Sequence, residues 1–185
     1  MYMISKNLLV FIVLLVVGCA TIGPINNEEF DKVGNINKIE GVYKNLGESG
    51  DPNKIYYLSE IIWPNDRNIQ HEQIETIVIR KVDKKSISVE GMRGSRVIKS
   101  SILVVNKDYE LTNNGINIKT IIMPSLEYIP GVPFIGLSVQ NVTLGIDKNG
   151  DGKYRDQTSK AGVAYFIIPV ASSIMQDVRF KKREK

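Results

Sequence analysis

Few side chains in this 185-residue chain suit covalent or metal chemistry, and their scarcity narrows what it can do. There is one cysteine, Cys19, and one histidine, His71. A lone thiol forms no internal disulfide, no CxxC redox pair and no zinc cluster. A lone histidine builds no multi-histidine metal site, and no GxSxG segment offers a serine nucleophile on a strand-to-helix elbow. His71 lies in the polar stretch Asn68 to Glu72, just before an apolar run, and reads as a solvated loop side chain. Carboxylates are plentiful, so an acid pair of the glycosidase kind stays open, but no spacing selects one. The most pointed donor set is Asp147, Asn149 and Asp151, then Gly152 at the bend and Asp156 beyond. Alternating oxygen side chains around a tight glycine turn are what a hard cation requires, which makes this loop a candidate calcium site.

The thiol finds its context in the first residues. Met1 to Lys6 carries one positive charge, and an unbroken apolar stretch runs from Leu8 to Val17. As a helix that stretch would cover about 15 Å, roughly half of a bilayer's hydrocarbon core, so it reads as a cleavable secretory leader rather than a membrane-spanning helix. The stretch ends in Val16-Val17-Gly18-Cys19, which resembles a lipobox, the cleavage site of a bacterial lipoprotein precursor with a type II signal peptide. That resemblance implies a diacylglyceryl group on the Cys19 thiol and cleavage between Gly18 and Cys19. It implies attachment to a membrane through lipid and a place in the cell envelope. Ala20 stands where an aspartate would, by the same resemblance, favour inner-membrane retention, so the expectation is the outer membrane facing the periplasm in a Gram-negative host.

Two further resemblances are shorter. Asp147 to Asp156 is similar to the first half of an EF-hand calcium loop, but the twelfth position is Thr158 in place of the bidentate glutamate, and the flanking runs read as strands. The Asn149-Gly150-Asp151-Gly152 run is equally suited to a hairpin tip, where each residue tolerates left-handed backbone. Gly41-Val42-Tyr43 resembles the Gly-x-Trp opening of lipocalins with Tyr in the last place. That implies a small barrel carrying an apolar ligand.

The elements that must position these residues read as mainly β. With 43% hydrophobic and 24% charged residues, one ordinary globular domain is expected. The division expected is a signal peptide over 1–18, the lipidated cysteine and a flexible tether over 19–38, a β-rich domain over 39–180 and a basic tail over 181–185. The architecture expected is a single antiparallel β-sandwich or small β-barrel with one or two short helices, preceded by the leader helix. Ile74 to Val82 and Ser86 to Glu90 form a hairpin about Asp83-Lys84-Lys85, with Ile87 and Val89 on the inner face. Val97 to Val105, Tyr109 to Thr112 and Ile116 to Ile122 continue as a meander, with a tight turn at Asn113-Asn114-Gly115. Pro124, Pro130, Gly131 and Pro133 mark Met123 to Phe134 as a crossing loop or edge segment. Leu137 to Ile146 and Gly162 to Ile168 resume the strand pattern. Asp51-Pro52 caps a short helix that carries Ile55, Leu58 and Ile62 on one face, and Trp63 and Tyr56-Tyr57 pack in the core or at its rim.

The formal charge of +4 is spread along the chain, and no segment interleaves basic with aromatic residues, which argues against a nucleic-acid partner. Arg179 to Lys185 holds five basic residues and one acid and reads as a solvated end. Taken together, the residues describe a membrane-anchored envelope lipoprotein whose β-domain binds or supports without catalysing, its protein or polymer partner unspecified. A lipocalin-like carrier and an envelope hydrolase with a carboxylate site are the rival readings.

Overall fold

The computed structural model describes residues 17–33, 36–129, 132–165 and 167–183. The leader expected before Val17 lies outside them. Two sheets carry the fold. The smaller is formed by β2 (Gly41–Lys44), β4 (Thr76–Lys81), β5 (Ser86–Arg93) and β6 (Arg96–Val104), antiparallel and in that spatial order. The larger runs β1 (Val17–Ile22), β11 (Ile168–Phe180), β10 (Gly152–Ala164), β9 (Val132–Ile146), β8 (Gly115–Ile129) and β7 (Glu110–Thr112), with β3 (Glu48–Ser49) also on β11. All neighbours are antiparallel except β1 and β11, which run parallel. Of the two architectures open from sequence, stacked sheets form and no closed barrel does.

The core lies where the small sheet covers one end of the large one. Tyr43, Ile77, Ile87 and Val89 pack against Ile116, Ile146, Tyr154, Val178 and Phe180. The expected hairpin forms around residues 83–85, and Ile87 and Val89 are buried as their alternation requires. The turn before β8 also forms as expected, with Gly115 at φ +141°, where the carbonyl of Leu144 leaves no room for a Cβ. The one α-helix among the described residues, α1 (Leu58–Ile62), starts later than Asp51 suggests and leaves Ile55 outside it. Asp51 instead closes a local turn by accepting the amide of Asn53, while the buried Asn45 side chain accepts the amide of Ser59 and donates to the carbonyls of His71 and Ile74.

Four stretches differ in whole or in part from the sequence reading. Of Met123 to Phe134, expected as a crossing loop or an edge segment, the part up to Ile129 is the edge: β8 continues through Pro124, which is tolerated because β7 pairs only with Gly115 to Asn117, while Val132 to Phe134 belong to the inner strand β9. β10 and β11 each run for 13 residues and turn at 165–167, inside the strand expected over Gly162 to Ile168. The segment expected to act as a tether is docked: Val33, Ile36 and Ile39 are buried in the core, and Phe30 bridges to Asp147. The basic tail is docked as well, for Lys181 pairs with Asp151 at 2.7 Å and the amide of Arg183 donates to the carbonyl of Val42.

Phe180 has no exposed surface and joins the two sheets. Replacing it with alanine is expected to lower unfolding stability by about 3–5 kcal/mol, measured as a shift of the urea midpoint with unchanged slope.

Candidate functional site

Cys19 is the third residue of β1, at the register of Ser173 in β11, and its side chain is exposed. It shares a shallow hollow with Leu137, Val139, Ala161 and Ala171. The thiol therefore stands on one particular side of the large sheet, away from the core. This is the side that carries the odd-numbered residues of β9, β10 and β11.

Nearer the core, the same side holds a group of charges shut away from water. Asp177 of β11 has no exposed surface and Lys153 of β10 almost none. Arg155 donates to Asp177 through both Nε and Nη2 at 2.7 Å, and Lys153 Nζ lies 2.8 Å from Asp177 Oδ2. The N-terminal segment completes the set: Asn27 donates from Nδ2 to Asp177 and accepts from Lys153 through Oδ1, and Lys153 also donates to the carbonyl of Glu28. The Lys153 ammonium thus uses all three of its donors, and the carboxylate accepts four hydrogen bonds. Phe30 lies over both cations, 5.4 Å from Lys153 Nζ and 5.2 Å from the Arg155 guanidinium. A side chain at Gly23 would run into Asn27 and Asp177, so glycine lets the segment lie close.

Burial pushes the Asp177 carboxyl upward, but the hydrogen bonds from Arg155, Lys153 and Asn27 outweigh it and hold the pKa below the usual aspartate range. The Asp177 carboxylate and the Lys153 ammonium are fully engaged within the arrangement. What it does is fasten the chain just after Cys19 to the sheet.

The calcium-loop residues do not converge. Asp147 Oδ1 accepts the amides of Asn149 and Asp151, closing the turn between β9 and β10. Asp151 is taken by Lys181 Nζ and the amide of Lys182, while Asp156 faces the other way and accepts from Gln140. Among the described residues no group of three or more His, Cys, Asp or Glu is placed to hold a metal. The loop is a hairpin tip braced by the basic tail, and the donor pattern arises because oxygen side chains that ligate a cation serve equally to accept backbone amides.

His71 is partly buried and its Nδ1 lies 3.0 Å from Ser59 Oγ, but Ser59 has no exposed surface, so the pair braces α1. Trp63 is buried and donates to Ser101 Oγ at 2.9 Å. Between the sheets lies an apolar cavity of about 90 Å³ lined by Tyr43, Leu58, Val89, Ile116 and Phe180 among others. That is well short of the several hundred Å³ that an apolar cargo needs.

No family model matches the chain, and comparison with curated proteins and with solved structures finds no match. Its reading rests on its own residues. The Lys153, Arg155 and Asp177 cluster is not legible in the sequence; the one available signal is the i, i+2 spacing of Lys153 and Arg155, which puts two cations on one face of a strand.

Asp177→Asn leaves Lys153 and Arg155 without their counter-charge and is expected to cost about 3–5 kcal/mol by chemical denaturation. Because the native carboxyl titrates below the unfolded one, its stabilisation is complete above pH ~4 and fades as pH falls through the lowered native value, so the acid-side fall in melting temperature should be shallower in Asp177→Asn. Millimolar calcium or chelator is expected to leave the melting temperature unchanged, and a rise with calcium would restore the metal reading.

Proposed function

We propose that this chain is a cell-envelope lipoprotein, anchored through acyl chains on Cys19 and carrying a non-enzymatic β-domain that binds or supports envelope components. The observation that carries this reading is the position of the sole thiol: it directly follows the Val16-Val17-Gly18 run and lies exposed on β1. No helix among the described residues is long and apolar enough to cross a membrane. Two or three acyl chains supply the anchor, since one chain binds only reversibly and a second makes attachment long-lived. Ala20 after the cysteine favours the outer membrane facing the periplasm in a Gram-negative host.

The non-catalytic part of the reading is supported by the state of the polar groups. The buried carboxylates Asp147, Asp151 and Asp177 are each committed to structural hydrogen bonds, and the Ser59 and His71 pair is closed off. Cys19→Ser is expected to abolish incorporation of labelled palmitate while leaving the β-domain's folding unchanged. Undiminished labelling of the variant would sink the proposal.

A further inference from the structure

The large sheet is longer than the core it serves. From β8 to β11, the residues packed in or against the core stop at Ile118, Val142, Tyr154 and Val178. Beyond them two hairpins run on as a four-stranded arm, tied at the tip by the Tyr165 amide donating to the Pro133 carbonyl. On the side shared with Cys19 the large apolar side chains of this arm stand open to water, whereas the opposite side is partly closed, with Phe134, Ala164, Ser125 and Ser138 buried.

The arm's two sides differ in kind. The side shared with Cys19 presents Ile122, Pro124, Ile135, Leu137, Ala161 and Ala171, all exposed, with Ile122 at 67% and Leu137 at 56%. The opposite side carries Ser125, Ser138, Gln140, Thr158, Lys160 and Ser172, with Met123, Ile168 and Ile174 as its exposed large apolar members and with Phe134 and Ala164 buried. An uncovered sheet face in water is expected to be the polar one. Here the bare apolar face is the one that holds the acylation site. The charged part of the same side, around Lys153 and Asp177, is clad by residues 23–30, so the polar and apolar stretches divide between protein cover and no cover.

We infer that the apolar side of this arm rests in the lipid surface beside the anchor, its hydrocarbon partner being the leaflet that holds the Cys19 acyl chains. The inference deepens the lipoprotein reading and rests on it. Each apolar side chain that leaves water adds to attachment in proportion to its area, as for amphipathic segments at a membrane interface. Tyr165 and Ile167 at the tip, 48% and 81% exposed, extend the same contact.

The arm lies on the membrane rather than spanning it as part of a multi-chain barrel. Both edges carry proline: Pro124 on the outer part of β8, and Pro169 on β11 beyond its pairing with β1. Each removes a backbone donor that a neighbouring copy would need, and unpaired backbone groups in hydrocarbon cost several kcal/mol apiece. At interface depth the edges keep their access to water.

The test uses the lipidated protein purified from membranes and placed in vesicles of phosphatidylethanolamine and phosphatidylglycerol. Leu137→Cys, Ile122→Cys and Lys160→Cys variants are each labelled with an environment-sensitive fluorophore; acylated Cys19 does not react, and the mass of the same sample reports its lipid independently. Circular dichroism checks that each variant is folded. The expected result is blue-shifted emission, strongly quenched by brominated phospholipid, at positions 137 and 122, and water-like unquenched emission at 160. Acylated, vesicle-bound protein with no quenching at 137 and 122, or with equal quenching at 160, overturns the inference. Absence of acyl mass with quenching intact would instead contradict the anchor alone.

Discussion

A carboxylate without access to water governs how this chain is put together. Asp177 lies near the inner end of β11 in the larger sheet, and its buried charge is tolerable only because Arg155 and Lys153 from the neighbouring strand and Asn27 from the N-terminal segment all donate to it. Lys153 is in turn acceptable only because Asn27 and the Glu28 carbonyl satisfy its remaining donors. Strand and N-terminal segment are thereby mutually dependent. Removing the segment leaves two buried charges short of partners, and removing the charges strips Asn27 and Glu28 of their hold on the sheet, leaving Phe30 and the buried Val33, Ile36 and Ile39 to dock the segment.

That dependence explains what was legible in the sequence and what was not. Elements specified by local rules were read directly: the β4–β5 hairpin from the alternation of Ile87 and Val89 and the turn before β8 from Asn-Gly, while the short helix was placed only in part, since it begins at Leu58 without a cap from Asp51. Only the end of β10, from Gly162, read as strand, because Gly152 to Lys160 is polar and charged, with Lys153 and Arg155 paired across to Asp177 of β11. Residues 19–38 looked like a tether because their polar groups find partners more than a hundred positions away, at Lys153, Arg155 and Asp177, which no local pattern reveals. The Asp147 loop showed the opposite confusion. Its donors were correctly seen as a set, yet their acceptors' work is done by backbone amides and Lys181 rather than by a cation.

The large sheet consequently has three environments along its length. Its inner end meets the small sheet through Val178 and Phe180 on one side and the N-terminal segment on the other. Its outer end is amphipathic and edged by prolines. Between them β1 places Cys19 opposite Ser173, close to where protein cover gives out. In the lipoprotein account no flexible spacer separates lipid from domain. The membrane lies directly against the arm, and the sandwich is held at a set orientation above it.

The account turns on what Cys19 carries, and the mass of the N-terminal tryptic peptide of the protein taken from its native membrane measures this most directly. The account requires a peptide that begins at Cys19, ends at Lys32 and is heavier than its sequence by a diacylglyceryl group, with or without a further acyl chain. A peptide that starts at Asn7, or one that starts at Cys19 with a free thiol, would contradict it.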